Sequence, residues 1–202
     1  DLFMKAVTMD NGNVSYATSP AGSLFRCLRN KISGYNMGCY ADGGPDFVLD
    51  AQEDFNVVHN GGSGGSAINE SLQCLRTPIC LQRNNILYGD GRGEHGIYNI
   101  HPLRLEATGN YLEGYAWEAV KVVTNLADAS HPNPQSWNLG YNTLKNNEGS
   151  VVINTGHAHI LPSVNLDGMV IDGDGAVGSN PAAIMIVAQN TSQILNVSGS
   201  GM

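Results

Sequence analysis

The pair best suited by type and spacing to do chemistry is His157 and His159, because residues two apart on a strand face the same side and both imidazoles could ligate one metal ion. A cupin-like, metal-dependent enzyme would use such a pair. It would also need a downstream carboxylate, and after His159 only Asp167 follows at a distance. His59, His95, His101 and His131 are the other imidazoles that could converge there. The competing reading is an alternating strand face that binds nothing, and the expectation is no metal, no cofactor and no catalytic residue.

Three further motifs read better as turns than as sites. Asn60 to Ser66 sets Ser63 among glycines, as around a protease nucleophile whose oxyanion hole is built from backbone N–H groups. In trypsin-like proteases, however, His and Asp precede a Ser that lies late, whereas Ser63 lies in the first third with only His59 close before it. Gly89 to Gly96 lacks the Gly-Lys-Ser/Thr ending of a phosphate loop. Asp172-Gly-Asp-Gly175 resembles a calcium loop, but Ala183 stands where the twelfth-position Glu should be.

A recognition surface is the remaining possibility. Trp137 and Tyr141, with Asn133, Asn138 and Asn142 around them, combine aromatic faces that stack on sugar rings with amides that hydrogen-bond hydroxyls. Against this stands the tendency of Trp to be buried, in which case Trp137 anchors a loop to the core. Asp90, Arg92 and Glu94, at what reads as another loop tip, make a second candidate surface for a receptor or glycan.

The elements that would carry these residues follow from composition and pattern. In 202 residues there are 10 basic against 18 acidic side chains, a net charge of −8, and no basic stripe to release counterions from a phosphate backbone. Nucleic acid and anionic membrane surfaces are therefore poor partners, and no apolar run is long enough to span a bilayer. Glycine (25) and asparagine (22) replace the missing charges, reading as turns and as loops solvated by neutral amides. Cys27, Cys39, Cys74 and Cys80 lack zinc-knuckle spacing and allow either two disulfides, in three connectivities, or four buried thiols. The sequons at Asn13, Asn69, Asn190 and Asn196 are expected to be unused.

Residues 2–18 read as a hairpin, residues 23–32 as a short helix or, being so short, a strand, and a helical turn is expected from Asn69. Residues 111–127 are ambiguous, leaning to strand in their second half, and 129–147 read as a long surface loop. From Ser150 on the chain is plainly β, in runs 150–154, 157–164, 169–172, 183–189 and 193–197. No self-similarity at the spacing of a repeat protein stands out. The expected fold is mainly β: one domain over 1–202, cut from a longer polypeptide, forming a compact antiparallel sandwich or barrel of about ten short strands with long loops and one or two short helices.

Size, acidic and lysine-poor composition, and strand-and-loop rhythm together make the chain resemble the projecting spike of a non-enveloped virus capsid. Among spikes it is most similar to those of astroviruses, with the avian kind as one candidate. The resemblance implies a virion-surface domain that attaches to a host-cell receptor or glycan, is exposed to neutralising antibodies and pairs as a homodimer. It also implies cysteines made in a reducing cytosol. A phage tail-fibre tip or a bacterial adhesin head, the latter extracellular, fits the same composition, and the His157/His159 enzyme is the alternative from another class.

Overall fold

The structure is a computed structural model, and it describes residues 5–10, 23–33, 37–44, 49–59, 70–91, 93–124, 132–155, 162–173, 183–187 and 197–198. Its strands fall into successive coils. The first coil holds β1 (Lys5–Asp10), β2 (Ser23–Leu28) and β3 (Lys31–Ser33). The second holds β4 (Met37–Asp42), β5 (Leu49–Asp54) and β6 (Val57–His59), and the third β7 (Glu70–Leu75), β8 (Ile79–Arg83) and β9 (Ile86–Tyr88). Then come β10 (His95–Ile100), β11 (Arg104–Thr108) and β12 (Tyr111–Glu113) in the fourth, and β13 (Glu118–Val123), β14 (Ser136–Asn138) and β15 (Thr143–Lys145) in the fifth. β16 (Gly149–Asn154), β17 (Ser163–Asn165) and β18 (Val170–Asp172) make the sixth, and β19 (Ile184–Val187) with β20 (Val197–Ser198) the seventh.

Each strand pairs with its counterpart one coil away, giving sheet A (β1-β4-β7-β10-β13-β16-β19), sheet B (β2-β5-β8-β11-β14-β17-β20) and sheet C (β3-β6-β9-β12-β15-β18). Every pairing is parallel, so the molecule is a parallel β-solenoid and the expected antiparallel sandwich or barrel is overturned. The physical requirement is the same in all three sheets: parallel neighbours need a long crossover, and the rest of the coil supplies it by running through the other two sheets. The expected short helices are absent among the described residues, and residues 23–28 and 70–75 are strands. β1 pairs with β4, the second arm of the expected hairpin lies outside the described residues, and the expected loop at 129–147 contains β14 and β15. No helix of the described residues is long and apolar enough to cross a membrane.

The chain does repeat, but unevenly. Equivalent asparagines at the corner between sheets B and C, from Asn30 through Asn56, Asn85 and Asn110 to Asn142, are separated in turn by 26, 29, 25 and 32 positions. What repeats is burial. Three rows of side chains stack along the interior: Phe25, Ala51, Cys80, Leu105, Trp137 and Val164 from sheet B; Ile32, Val58, Leu87, Leu112 and Leu144 from sheet C; Cys39, Leu72, Ile97, Val120 and Val151 from sheet A. Each large apolar side chain in these rows contributes about 1.5–3 kcal/mol by leaving water. The cysteines form two disulfides: Cys27–Cys39 joins β2 to β4, and Cys74–Cys80 spans the corner between β7 and β8.

The asparagine corner also shows why this residue is so abundant. Of the five, the last four are buried. The backbone N–H of Asn56 donates to Oδ1 of Asn85 (2.8 Å), that of Asn85 to Asn110 (2.9 Å) and that of Asn110 to Asn142 (2.9 Å). From Asn56 on, each side-chain amide donates back to a carbonyl of the preceding coil, as Asn85 Nδ2 does to Glu53 O (2.8 Å). These bonds occupy backbone groups that a sharp corner would otherwise bury without partners. The residue just before each asparagine takes a left-handed conformation: Arg29 (φ 56°), Phe55 (59°), Asn84 (56°), Gly109 (66°) and Tyr141 (58°). In the sixth coil Gly168 (φ 66°) keeps the turn, but Met169 replaces asparagine and the stack ends.

Candidate functional site

On the outer face of sheet A the polar groups are not repeated but gathered. β7, β10 and β13 open with Glu70, His95 and Glu118, each followed by a small residue and an aliphatic one: Ser71-Leu72, Gly96-Ile97 and Ala119-Val120. Two of the small residues lie against Tyr115, which is buried where the chain passes from sheet C to sheet A. Ser71 Oγ lies 2.7 Å from Tyr115 Oη, and a Cβ on Gly96 would collide with the Leu112 side chain and stand 3.0 Å from the Tyr115 ring. The contacts of His95 with Tyr98, Lys121 and the exposed Trp117 place this row toward the outer face, although Glu70, His95 and Glu118 are themselves buried.

His95 is the centre of this face. It is 3% exposed, its ring stacks on Tyr98 (centroids 4.9 Å apart), and the Trp117 ring meets it edge-on at 5.7 Å. Its Nε2 lies 2.9 Å from Glu118 Oε2, and its Nδ1 lies 3.8 Å from Glu70 Oε1, too far for a hydrogen bond. Lys121 Nζ stands 3.4 Å from both Glu118 Oε2 and His95 Nε2, and 5.6 and 5.8 Å from the ring centres of Tyr98 and Trp117. Glu94 joins from the turn before β10: one donor atom each from Glu70, Glu94 and His95 lies within 4.8 Å of the others.

The electrostatics follow from burial and from this crowding of carboxyls. Burial alone would lower the His95 pKa, but the carboxylates of Glu118 and Glu70 offset that and hold it above the ordinary histidine value. Glu94 is raised, first by burial, with His95 opposing and Glu70 adding to the rise. Tyr98 is raised by burial and by Glu70 and Glu118.

A second polar group sits inside the coils. Glu53 is fully buried on β5, with Oε2 accepting from Gln82 Nε2 (2.7 Å), and Asn99 Nδ2 donates in turn to Gln82 Oε1 (2.8 Å). Burial raises the Glu53 carboxyl well above its ordinary pKa, against the Gln82 hydrogen bond and with help from Asp54. Asp54 itself is paired with Arg83 (2.7 Å).

The residues singled out in the sequence are scattered over this frame. Trp137 is 1% exposed in the interior row of sheet B, its Nε1 donating to Pro102 O (2.9 Å), so it takes the core-anchor role and offers no stacking face. Tyr141 is 67% exposed at the corner between sheets B and C, where its ring lies against Gly168. Asn138 is half-buried and accepts from Gly140 N and Asn165 Nδ2. Asp90 is exposed beside His59 (3.7 Å), and Glu94 joins the cluster. Arg92, His131, His157 and His159, and all four sequon asparagines, lie outside the described residues.

Glu70, Tyr98, Trp117, Glu118 and Lys121 were not singled out from the sequence, although a signal for the cluster is present there. The strings Glu-Ser-Leu, His-Gly-Ile and Glu-Ala-Val open three successive strands of sheet A in register, each placing a polar group ahead of a small and an aliphatic residue. Comparison of the chain with protein-family models, with curated proteins and with solved structures finds no match.

Proposed function

We propose that the chain is an attachment module that binds a glycan on the outer face of sheet A. The observation that carries this reading is Trp117, 52% exposed, beside Lys121 and the row of Glu70, His95 and Glu118. An exposed indole offers a sugar ring a flat apolar face, and carboxyls and an ammonium at its edge hydrogen-bond the hydroxyls that remain. A solenoid repeats its backbone along one axis, so neighbouring coils offer an extended ligand successive footholds. Capsid spikes, phage tail-fibre tips and adhesin heads share this role. The solenoid removes the sandwich expected with the spike resemblance, and the attachment role now rests on the site.

A glycan array followed by calorimetric titration of any hit tests the reading. Trp117→Ala is expected to weaken binding at least about tenfold, as loss of an aromatic platform does, with the melting temperature nearly unchanged. A hit whose affinity is the same in Trp117→Ala would move the site elsewhere. Light scattering on the same sample addresses assembly: a dimer favours the spike and a trimer the tail fibre.

A further inference from the structure

We propose that Glu70, Glu94 and His95 form a binding site for a divalent first-row transition-metal ion, with Glu118 as the residue that orients the imidazole. This does not rest on the glycan reading. Glu70 and His95 are 2% and 3% exposed, yet Glu70 Oε2 and His95 Nδ1 have no hydrogen-bond partner. Two buried polar atoms left in this way on facing side chains carry a desolvation cost that a shared cation relieves.

The geometry suits an ion of that size. Donor atoms about 2.0–2.2 Å from a tetrahedral ion stand roughly 3.3–3.6 Å from one another, and His95 Nδ1 lies 3.8 Å from Glu70 Oε1. Glu94, the half-exposed member, closes the set within 4.8 Å. The shorter contact on the far side of the ring favours one tautomer. Glu118 Oε2, 2.9 Å from Nε2, takes that N–H and leaves the Nδ1 lone pair toward Glu70. This is the carboxylate–histidine–metal arrangement in which an outer carboxyl sets the ring and raises its basicity.

The donor set selects the metal class. One imidazole with carboxylate oxygens and no thiolate suits zinc or manganese better than calcium, which takes six to eight oxygen ligands, or copper(I), which favours sulfur. The cluster has three carboxyls around one histidine, with Lys121 as the cation in contact on the Glu118 side. Three protein ligands leave a coordination position for water or a ligand hydroxyl, as in metal sites that do more than hold a fold.

The test is calorimetric titration of the chelator-stripped chain with Zn²⁺ and Mn²⁺, with no glycan present, and elemental analysis after gel filtration. One equivalent of Zn²⁺ or Mn²⁺ is expected, undisturbed by a hundredfold excess of Ca²⁺. His95→Gln and Glu70→Gln should abolish it. Glu94→Gln, at the half-exposed position where folding is least at risk, should weaken it at least tenfold. Glu118→Gln should weaken it roughly 10–100-fold, as loss of an orienting carboxylate does, and should shift the His95 ring ¹⁵N resonances in the metal-free chain. Failure to take up either ion, uptake that survives His95→Gln in a folded chain, or displacement by Ca²⁺ would each overturn the site. None of these results depends on whether Trp117 binds sugar.

Discussion

The corner between sheets B and C and the outer face of sheet A handle buried polar groups in opposite ways. At the corner, one asparagine per coil is repeated from Asn30 to Asn142, and from Asn56 on each amide oxygen accepts from the coil before it. On sheet A, Glu70, His95 and Glu118 occupy three coils only, and two of their buried atoms have no hydrogen-bond partner. Polar groups that repeat along the axis solve a backbone problem that every coil shares. Polar groups that occur in one place do nothing for the other coils, which is the reason to look for a ligand there.

If repeated positions are structural, the largest loss should come from the bulkiest member of an interior row. Trp137→Ala removes an indole packed between Leu105 and Val164 and leaves the Pro102 carbonyl without its donor. A loss of about 3–5 kcal/mol is expected, read as a fall in the urea midpoint. Trp117→Ala, on the exposed face, is expected to change that midpoint little. Equal losses in the two variants would erase the distinction between the regions.

The asparagine stack should respond less than the tryptophan and more than a surface residue. Asn85→Ala deprives Asn56 N and Nδ2 of an acceptor and Glu53 O of a donor, all in the interior. Each unsatisfied group costs about 1–3 kcal/mol, before any water enters or the turn relaxes. A destabilisation in that range is expected in urea melts, with faster amide exchange at Asn56 than at the more distant Asn142. A neutral substitution would mean that the stack follows the fold rather than supporting it.

Much of the strand content was legible because β-branched and apolar residues crowd it. Strands expected at 150–154, 169–172 and 183–189 contain β16, β18 and β19. Their pairing was not legible, because closely spaced turns look alike whether the next strand returns antiparallel or moves on around a coil. The segment 23–32 shows how a corner imitates a helix. Leu24, Cys27, Leu28 and Ile32 are spaced like one helical face, but Leu24 and Leu28 are exposed, Cys27 and Ile32 are buried, and the left-handed Arg29 turns the chain between them. The repeat was hidden by connections of unequal length, which move the spacing of the corner asparagines between 25 and 32 positions while burial is preserved. Asparagines read as loop solvation proved to include the buried stack, since an amide that solvates a loop and one that fills a corner have the same sequence signature. The three strings that carry the His95 cluster could not be read as one site for a related reason: they come from three coils, and only the register sets them side by side.

The smallest effect concerns Glu53, a buried polar group that occurs once but lies inside, so it is the case that divides the two regions least cleanly. Its carboxyl is held well above its ordinary pKa by burial, with the hydrogen bond from Gln82 opposing and Asp54 adding to the rise. The folded chain therefore binds a proton there that the unfolded chain releases near pH 4.5. Linkage then gives the sign: the contribution is fully present below the unfolded pKa and is lost as pH rises through the folded one. Glu53→Gln keeps a neutral side chain of the same shape at every pH. Its urea midpoint should match the parent below that unfolded pKa and exceed it increasingly above, while Glu94 and His95, unchanged in both chains, cancel from the difference. Parallel midpoints across the range would show that the carboxyl ionises inside the solenoid at no cost, and Glu53 would then belong with the satisfied polar groups of the repeat.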